Sequence, residues 1–326
     1  SATSTKKPQG KYSTGKWGRF LRAPDAYFEA ISKCGDQLER LEDIAEIQRG
    51  IRSGANQFFY LPNKHFDTDI QDDDLCLKST DTGEVEYRIP QEYWMQKTTN
   101  GWQPNYLLKN SRGFDNPIFD ENSLDIESSL RYVVIIDDPK NELDEETERY
   151  VEWGESHDTE SCDHCRKTSP IPDSCSDSGA GWYDINPMLR RGDILPMQNI
   201  DRRHAYWVPR LRTYIDQRLH GIEVPGSERE RMAVAGMLNS TFGYMQLEIN
   251  GRANLGQGAL DVTTDDHGLS QIPSVESLSD DQIEAIIDRF SDVGNRKVGS
   301  VFEELGTDTS SDVSLDDVAE DRRALD

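Results

Sequence analysis

Apolar positions recur at helical spacing between Leu21 and Ile47. Tyr27, Phe28 and Ile31 follow Pro24, then come Leu38, Leu41, Ile44 and Ala45, a pattern that predicts helix through this stretch. Gln48–Tyr60, QRGIRSGANQFFY, breaks the rhythm: glycines punctuate a loop that runs into an aromatic strand. Short strands and turns alternate over residues 63–130, and Arg131–Ile136 (RYVVII) is the continuous apolar run of a buried strand. An amphipathic helix is predicted around Leu143–Trp153, another closes at Gly236–Asn239, and Ser277–Phe302 holds one or two more. After Gly306 the chain turns acidic, Ser/Thr-rich and apolar-poor, the composition of a disordered tail. Without a clean βαβ rhythm or an internal repeat, the expected class is α/β of the mixed α+β kind, with a helical C-terminal portion.

Composition sharpens this picture. The 326 residues carry 61 acidic and 36 basic side chains, a formal charge of −25, with 24 Arg against 12 Lys. Hydrophobic residues make up only 35%, but six Trp, twelve Tyr and ten Phe are too many for a disordered chain. Abundant Asp and scarce Lys fit a halophilic protein, because concentrated salt screens self-repulsion while carboxylates hold water at the surface. There is no apolar run of about 18 residues, so no membrane span is expected. The polar N-terminus and odd number of scattered cysteines point to the cytoplasm.

Charge is also unevenly placed. Residues 1–23 hold six bases and no acid, as a flexible basic arm would; residues 137–177 are net −10; residues 188–218 are net +4. In the last segment Arg190, Arg191, Arg202 and Arg203 lie among Arg210, Arg212, Arg218, Tyr206, Trp207 and Tyr214. Guanidinium forks contact phosphates and guanine edges, and aromatic rings stack on bases, so double-stranded DNA is the expected partner. The competing reading is a set of internal ion pairs between this segment and the acidic 137–177 segment.

Signs of catalysis are sparse. No two of the 14 prolines are adjacent, which removes the Asp/Asn-Pro-Pro-aromatic loop of amino-methyltransferases. Gly179–Gly181 and Gly256–Gly258 do not extend into a nucleotide-binding fingerprint, and no Walker loop or Gly-x-Ser-x-Gly elbow occurs. Asp138-Pro-Lys140 after the RYVVII strand, with Asp120 upstream, could form a metal-dependent nuclease site. Cys162-x-x-Cys165 with Cys175 and His157 is a candidate structural zinc set, since that turn aims two thiolates at one tetrahedral centre. A third class is a non-catalytic interaction module whose acidic segments bind a basic partner.

Several blocks resemble the target-recognition region of adenine-specific DNA methyltransferases of restriction–modification systems. They are Lys16–Pro24 (KWGRFLRAP), Leu41–Ile47, Gln48–Tyr60, Tyr150–Glu155 (YVEWGE), Trp182-Tyr183, Leu238-Asn239-Ser240 and Gly251–Asp261 (GRANLGQGALD), together spanning about 17–261. In that family a separate Rossmann-like domain binds S-adenosylmethionine and methylates adenine, while this region selects the DNA sequence. The resemblance implies a specificity module with no catalytic residues and no cofactor of its own, lacking a complete Rossmann methyltransferase domain and acting with a methyltransferase domain or subunit. The expected organisation is a basic arm over 1–20, a recognition domain over 21–275 with an acidic, cysteine-bearing insertion at 156–181, C-terminal helices over 276–305, and a disordered acidic tail over 306–326. Gly50 and Gly54 permit a tight loop that can approach a phosphate, flanked by Arg49 and Arg52, with Asn56 able to pair an adenine edge. Arg252 and Asn254 sit on a second Gly-rich turn.

Overall fold

The computed structural model describes residues 22–124, 129–159, 168–175, 179–253, 259–306, 314 and 316–326. The fold is mixed α/β with a helical C-terminal portion. Its central sheet orders the strands Thr213–Ile215, Tyr106–Leu108, Leu130–Val133 and Tyr60–Leu61; the first pair is parallel and the other two antiparallel. As its sequence demands, the apolar run through Ile136 is buried. Beside this sheet stands an antiparallel meander of Phe66–Gln71, Asp74–Ser79 and Val85–Ile89. The helix Glu145–Glu155 covers the meander. Asp144 caps it by accepting from the backbone N–H groups of Glu146 and Thr147, and Glu145, Glu146 and Glu148 sit at the positive end of its dipole. Tyr150 on its inner face stacks on Phe58 with 4.7 Å between ring centres and donates to the Phe58 carbonyl at 2.6 Å. Phe58, Phe59 and Tyr60 are therefore core residues, although Asn56–Phe59 is one helical turn and only Tyr60–Leu61 is strand.

The helix predicted across Leu21–Ile47 is shorter than its periodicity suggests. Asp25–Cys34 is helical, but Leu38–Arg40 pairs antiparallel with Gln271–Pro273, and Glu46–Arg49 pairs antiparallel with His220–Glu223. Only Leu41–Ile44 between them keeps a helical turn. The spacing of Leu38, Leu41 and Ile44 suits a helix locally, yet two strands distant in sequence claim the backbone on either side of that turn. The N-terminal segment thereby joins the C-terminal helices. Glu228–Leu238 and Asp280–Gly294 each begin with a capping box, Ser227 with Glu230 and Ser279 with Gln282. They pack so closely that a Cβ on Gly236 would meet the Ile286 side chain at 2.8 Å. No helix among the described residues is long and apolar enough to cross a membrane.

The expected disordered tail is also corrected where it is described. Glu320–Leu325 is helical, and Arg322 is only 2% exposed. Its guanidinium donates to the Asn239 carbonyl at 2.6 Å and to Glu304, and lies 5.0 Å from the centre of the Tyr244 ring. Arg296 binds Glu304 at 2.8 Å and also engages Asp321. Average composition misses this because a tail low in apolar residues can still be held by a closed set of buried ion pairs. Truncating Arg322 leaves Glu304 partly unpaired in an apolar setting, a loss of about 3–5 kcal/mol for a buried pair broken on one side. Urea unfolding of Arg322→Ala should show that drop, and an unchanged midpoint would mean the terminal helix is not docked.

Three buried histidines lie under the helical portion. The His220 and His267 rings are 5.4 Å apart, and the His204 and Tyr206 rings 5.1 Å apart. Burial holds His204 down to about 3 and His220 to about 4, and pushes His267 well below the ordinary 6.5. Each is kept neutral, so its contribution to stability is whole above pH 6.5 and is lost as the pH falls toward those values. Asp216, raised by burial to about 6, acts in the opposite sense: its folded form keeps a proton that the unfolded chain releases from pH 3.8 upward. Three histidines outweigh one aspartate. The urea midpoint should therefore be lower at pH 5 than at pH 7, and His204→Gln should narrow the difference without abolishing it; a flat wild-type profile would contradict the neutral assignment.

Candidate nucleic-acid interface

The strand Glu46–Arg49 ends where Gly50 crosses residue 216. A Cβ at Gly50 would sit 2.2 Å from the Asp216 carbonyl oxygen, so only glycine permits the crossing. Ile51 N–H then donates to Ile215 O at 2.8 Å, and Gln217 N–H donates to Ile51 O at 2.9 Å. Gly54 has φ +81°, and a Cβ there would lie 2.0 Å from the Ser174 carbonyl oxygen. The loop is thus pinned on both flanks, with the Arg49 and Arg52 side chains exposed.

From this loop a basic ridge runs across the surface. Arg49 donates to the Gln217 carbonyl at 3.2 Å and to Gln198 Oε1 at 3.1 Å. Gln198 O accepts from Val262 N–H at 2.8 Å, and next to Val262 the backbones of Asp261 and Arg252 exchange hydrogen bonds of 2.8 and 2.9 Å. Arg218 is tied to the same strip, its carbonyl accepting from Gln198 N–H at 3.1 Å. Arg52, Arg218 and Arg252 are exposed and form no ion pair among the described residues. Lys78, Lys140, Arg149, Arg229 and Arg296, by contrast, are engaged by carboxylates. Asn56, half-buried and bonded to the Ser53 hydroxyl, opens on a cleft of about 590 Å³ that is also lined by Tyr60, Lys64, Lys109 and Arg131. Asp216 lies beneath the ridge; burial raises its carboxyl, while Arg218, Lys109 and Arg49 pull it back.

The nine residues expected to contact DNA fall in several places. Arg49, Arg52, Asn56 and Arg252 share the ridge and its cleft; Asn254 lies outside the described residues. Arg190 and Arg191 run alongside the ladder: Arg190 O accepts from Ile215 N–H at 3.1 Å, and a Cβ on Gly221 would lie 1.9 Å from Arg191 O. Arg190 donates to the carbonyls of Pro187 and Leu189, and Arg191 stacks on Tyr214 at 4.1 Å. Arg202 and Arg203 lie by the C-terminal helices: Arg202 O accepts from Val301 N–H, and Arg203 faces Asp115 at 3.4 Å. The internal ion pairs that could have explained the arginine segment are not formed among the described residues, where the acidic segment pairs within itself as Lys140–Glu155 and Glu146–Arg149. Sequence reasoning missed Gln198, Lys109 and Arg131. Only Arg131 carried a signal, as a lone charge opening a buried strand.

Cys162 and Cys165 of the candidate zinc set lie outside the described residues. Cys175 is half-buried, and burial pushes its thiol up to about 11; His157 has Nδ1 2.7 Å from the Trp153 carbonyl and its ring against the Trp153 ring. The nuclease candidates each have a structural partner. Asp120 caps the Glu121–Ser123 turn, Asp138 accepts from the Tyr93 hydroxyl at 2.9 Å, and Lys140 is held by Glu155 at 2.8 Å. Among the described residues no three His, Cys, Asp or Glu side chains gather as a metal-binding group.

No family model matches the chain. No curated protein matches it in sequence either. Its fold is similar to that of the type IIG restriction endonuclease BpuSI, with a TM-score of 0.51 and 11% identity over 95% of this chain. The chain spans 33% of that structure's length.

Proposed function

We propose that the chain is the sequence-reading module of an adenine-specific DNA methyltransferase of a restriction–modification system, working with a catalytic domain or subunit that binds S-adenosylmethionine. The observation that carries this reading is the ridge: guanidiniums of Arg52, Arg218 and Arg252, without an ion pair among the described residues, grouped on a chain of charge −25. The fold likeness to a type IIG restriction endonuclease, over a third of that enzyme, adds support, as do the resembling blocks around Gly50–Tyr60 and Gly251–Asp261. In this reading the glycine-pinned loop brings backbone close to the sugar–phosphate chain. Arg52, Arg252 and Asn56 meet base edges, and Lys109 and Arg131 line the path of a strand.

Phosphate contacts weaken with salt by a log–log slope of about −0.9 per neutralised phosphate. In concentrated salt, base contacts and shape fit must therefore supply most of the affinity. Competition between a recognised and a scrambled duplex at two salt concentrations tests this. Arg52→Ala, Asn56→Ala and Arg252→Ala should each cost about 1–3 kcal/mol on the recognised duplex and much less on the scrambled one. Equal losses on both would reduce the ridge to a backbone clamp, and no binding to any duplex would sink the reading.

A further inference from the structure

The ladder between Glu46–Arg49 and His220–Glu223 has the ridge at its Arg49–His220 end. Four residue pairs make it about 10 Å long at ~3.4 Å per residue. At the Glu46–Glu223 end opens a separate cleft of about 890 Å³, between residues 208–213 and the first turn of the Glu228–Leu238 helix. Four arginines line it: Arg191, Arg210, Arg212 and Arg231. Arg231 is already engaged by Asp193 at 3.5 Å and by the carbonyls of Val224 and Gly226. Arg210 and Arg212 are exposed and make no ion pair among the described residues. Arg191 lies over Tyr214 and donates from one terminal nitrogen to Gln96 Oε1 at 3.1 Å, while its Nε is buried with no acceptor. Burial, with the nearby Arg212 charge, holds that guanidinium below its usual range, while Tyr214 and Glu223 act the other way. Of the carboxylates at the rim, Asp193 is paired with Arg231, while Glu46, Glu223 (which also accepts from Gln48 at 2.7 Å) and Glu228 oppose the other arginines.

We propose that this cleft is a second phosphate-binding site, in which Arg191, Arg210 and Arg212 hold a phosphate group. A planar fork aimed at phosphate oxygens makes two parallel charge-assisted bonds, and the exposed guanidiniums of Arg210 and Arg212 are free to supply them. Glu46, Glu223 and Glu228 limit the site, repelling polyanions that fill it less closely. The phosphate can come from two sources, the backbone of a duplex that continues past the ridge or the phosphate chain of a free nucleotide. The site stands whether or not the ridge reads base pairs.

Calorimetric titration of the full chain with pyrophosphate at low salt tests it. Saturable binding is expected, weakened at least tenfold by the double substitution Arg210→Ala/Arg212→Ala, tightened several-fold by Glu46→Gln, and unaffected by Arg289→Ala on a distant helix face. Both arginines are exposed, so folding should survive their loss, with a thermal melt as the check. Two further arms identify the source. If it is DNA, the double variant lowers the magnitude of the log–log salt slope for duplex binding by about 2, near 0.9 for each phosphate no longer neutralised. If it is a nucleotide, the slope stays and ADP binding disappears in the same variant. Absence of pyrophosphate binding, or binding indifferent to Arg210→Ala/Arg212→Ala, overturns the proposal.

Discussion

The pairing of Glu46–Arg49 with His220–Glu223 is the constraint from which the surface chemistry follows. It joins a segment near one end of the chain to one far along it, and closing so large a loop costs entropy that local contacts cannot offset. The offset comes from burial: Leu41, Ile222, Val224 and Ile272 enter the same apolar cluster as Val234, Leu238 and Phe290. Once the ladder forms, Gly50 must cross residue 216 with no room for a side chain, and that crossing sets where the Arg49–Arg52 loop can stand. Both cationic surfaces are end products of one strand pair.

Much of the fold could be read along the chain wherever local and tertiary demands agree. Val133–Ile136 of RYVVII is buried; the Glu145–Glu155 helix has its Asp cap and acidic first turn; Asn239 ends a helix as expected. The failures share a cause. Residues 38–49 have helical spacing but distant strand partners, and the 316–326 segment has a polar composition but a buried Arg322. Neither partner is visible within a local window. The arginines show the same limit: a run of seven between 188 and 218 reads as one patch, yet consecutive pairs end up at separate places because the chain turns between them. Gln198 gave no warning at all, since its role depends on Arg49 and Val262 arriving beside it.

Acidity gives the ridge its meaning. On a chain of charge −25, leaving a guanidinium without an ion pair forgoes a partner that the composition supplies in excess. Exposed pairs are individually worth little, about 0–1 kcal/mol, so the cost of leaving Arg52 or Arg252 free is small. The effect on the field is larger, because a positive strip bordered by carboxylates confines attraction to a narrow track and repels polyanions elsewhere. A polyanion is then admitted in one orientation, which a uniformly basic surface would not enforce.

The long reach of the ladder also has a consequence during synthesis. Arg49 leaves the ribosome about 170 residues before its partner His220. At roughly 5–20 residues per second, the Glu46–Arg49 strand waits on the order of 10–35 s with its edge unpaired. Leu38–Arg40 waits longer still for Gln271–Pro273. An open strand edge is a template for pairing with another nascent chain. The charges on these two segments, Glu39, Arg40, Glu46 and Arg49, are placed where they discourage such pairing until the proper strands emerge.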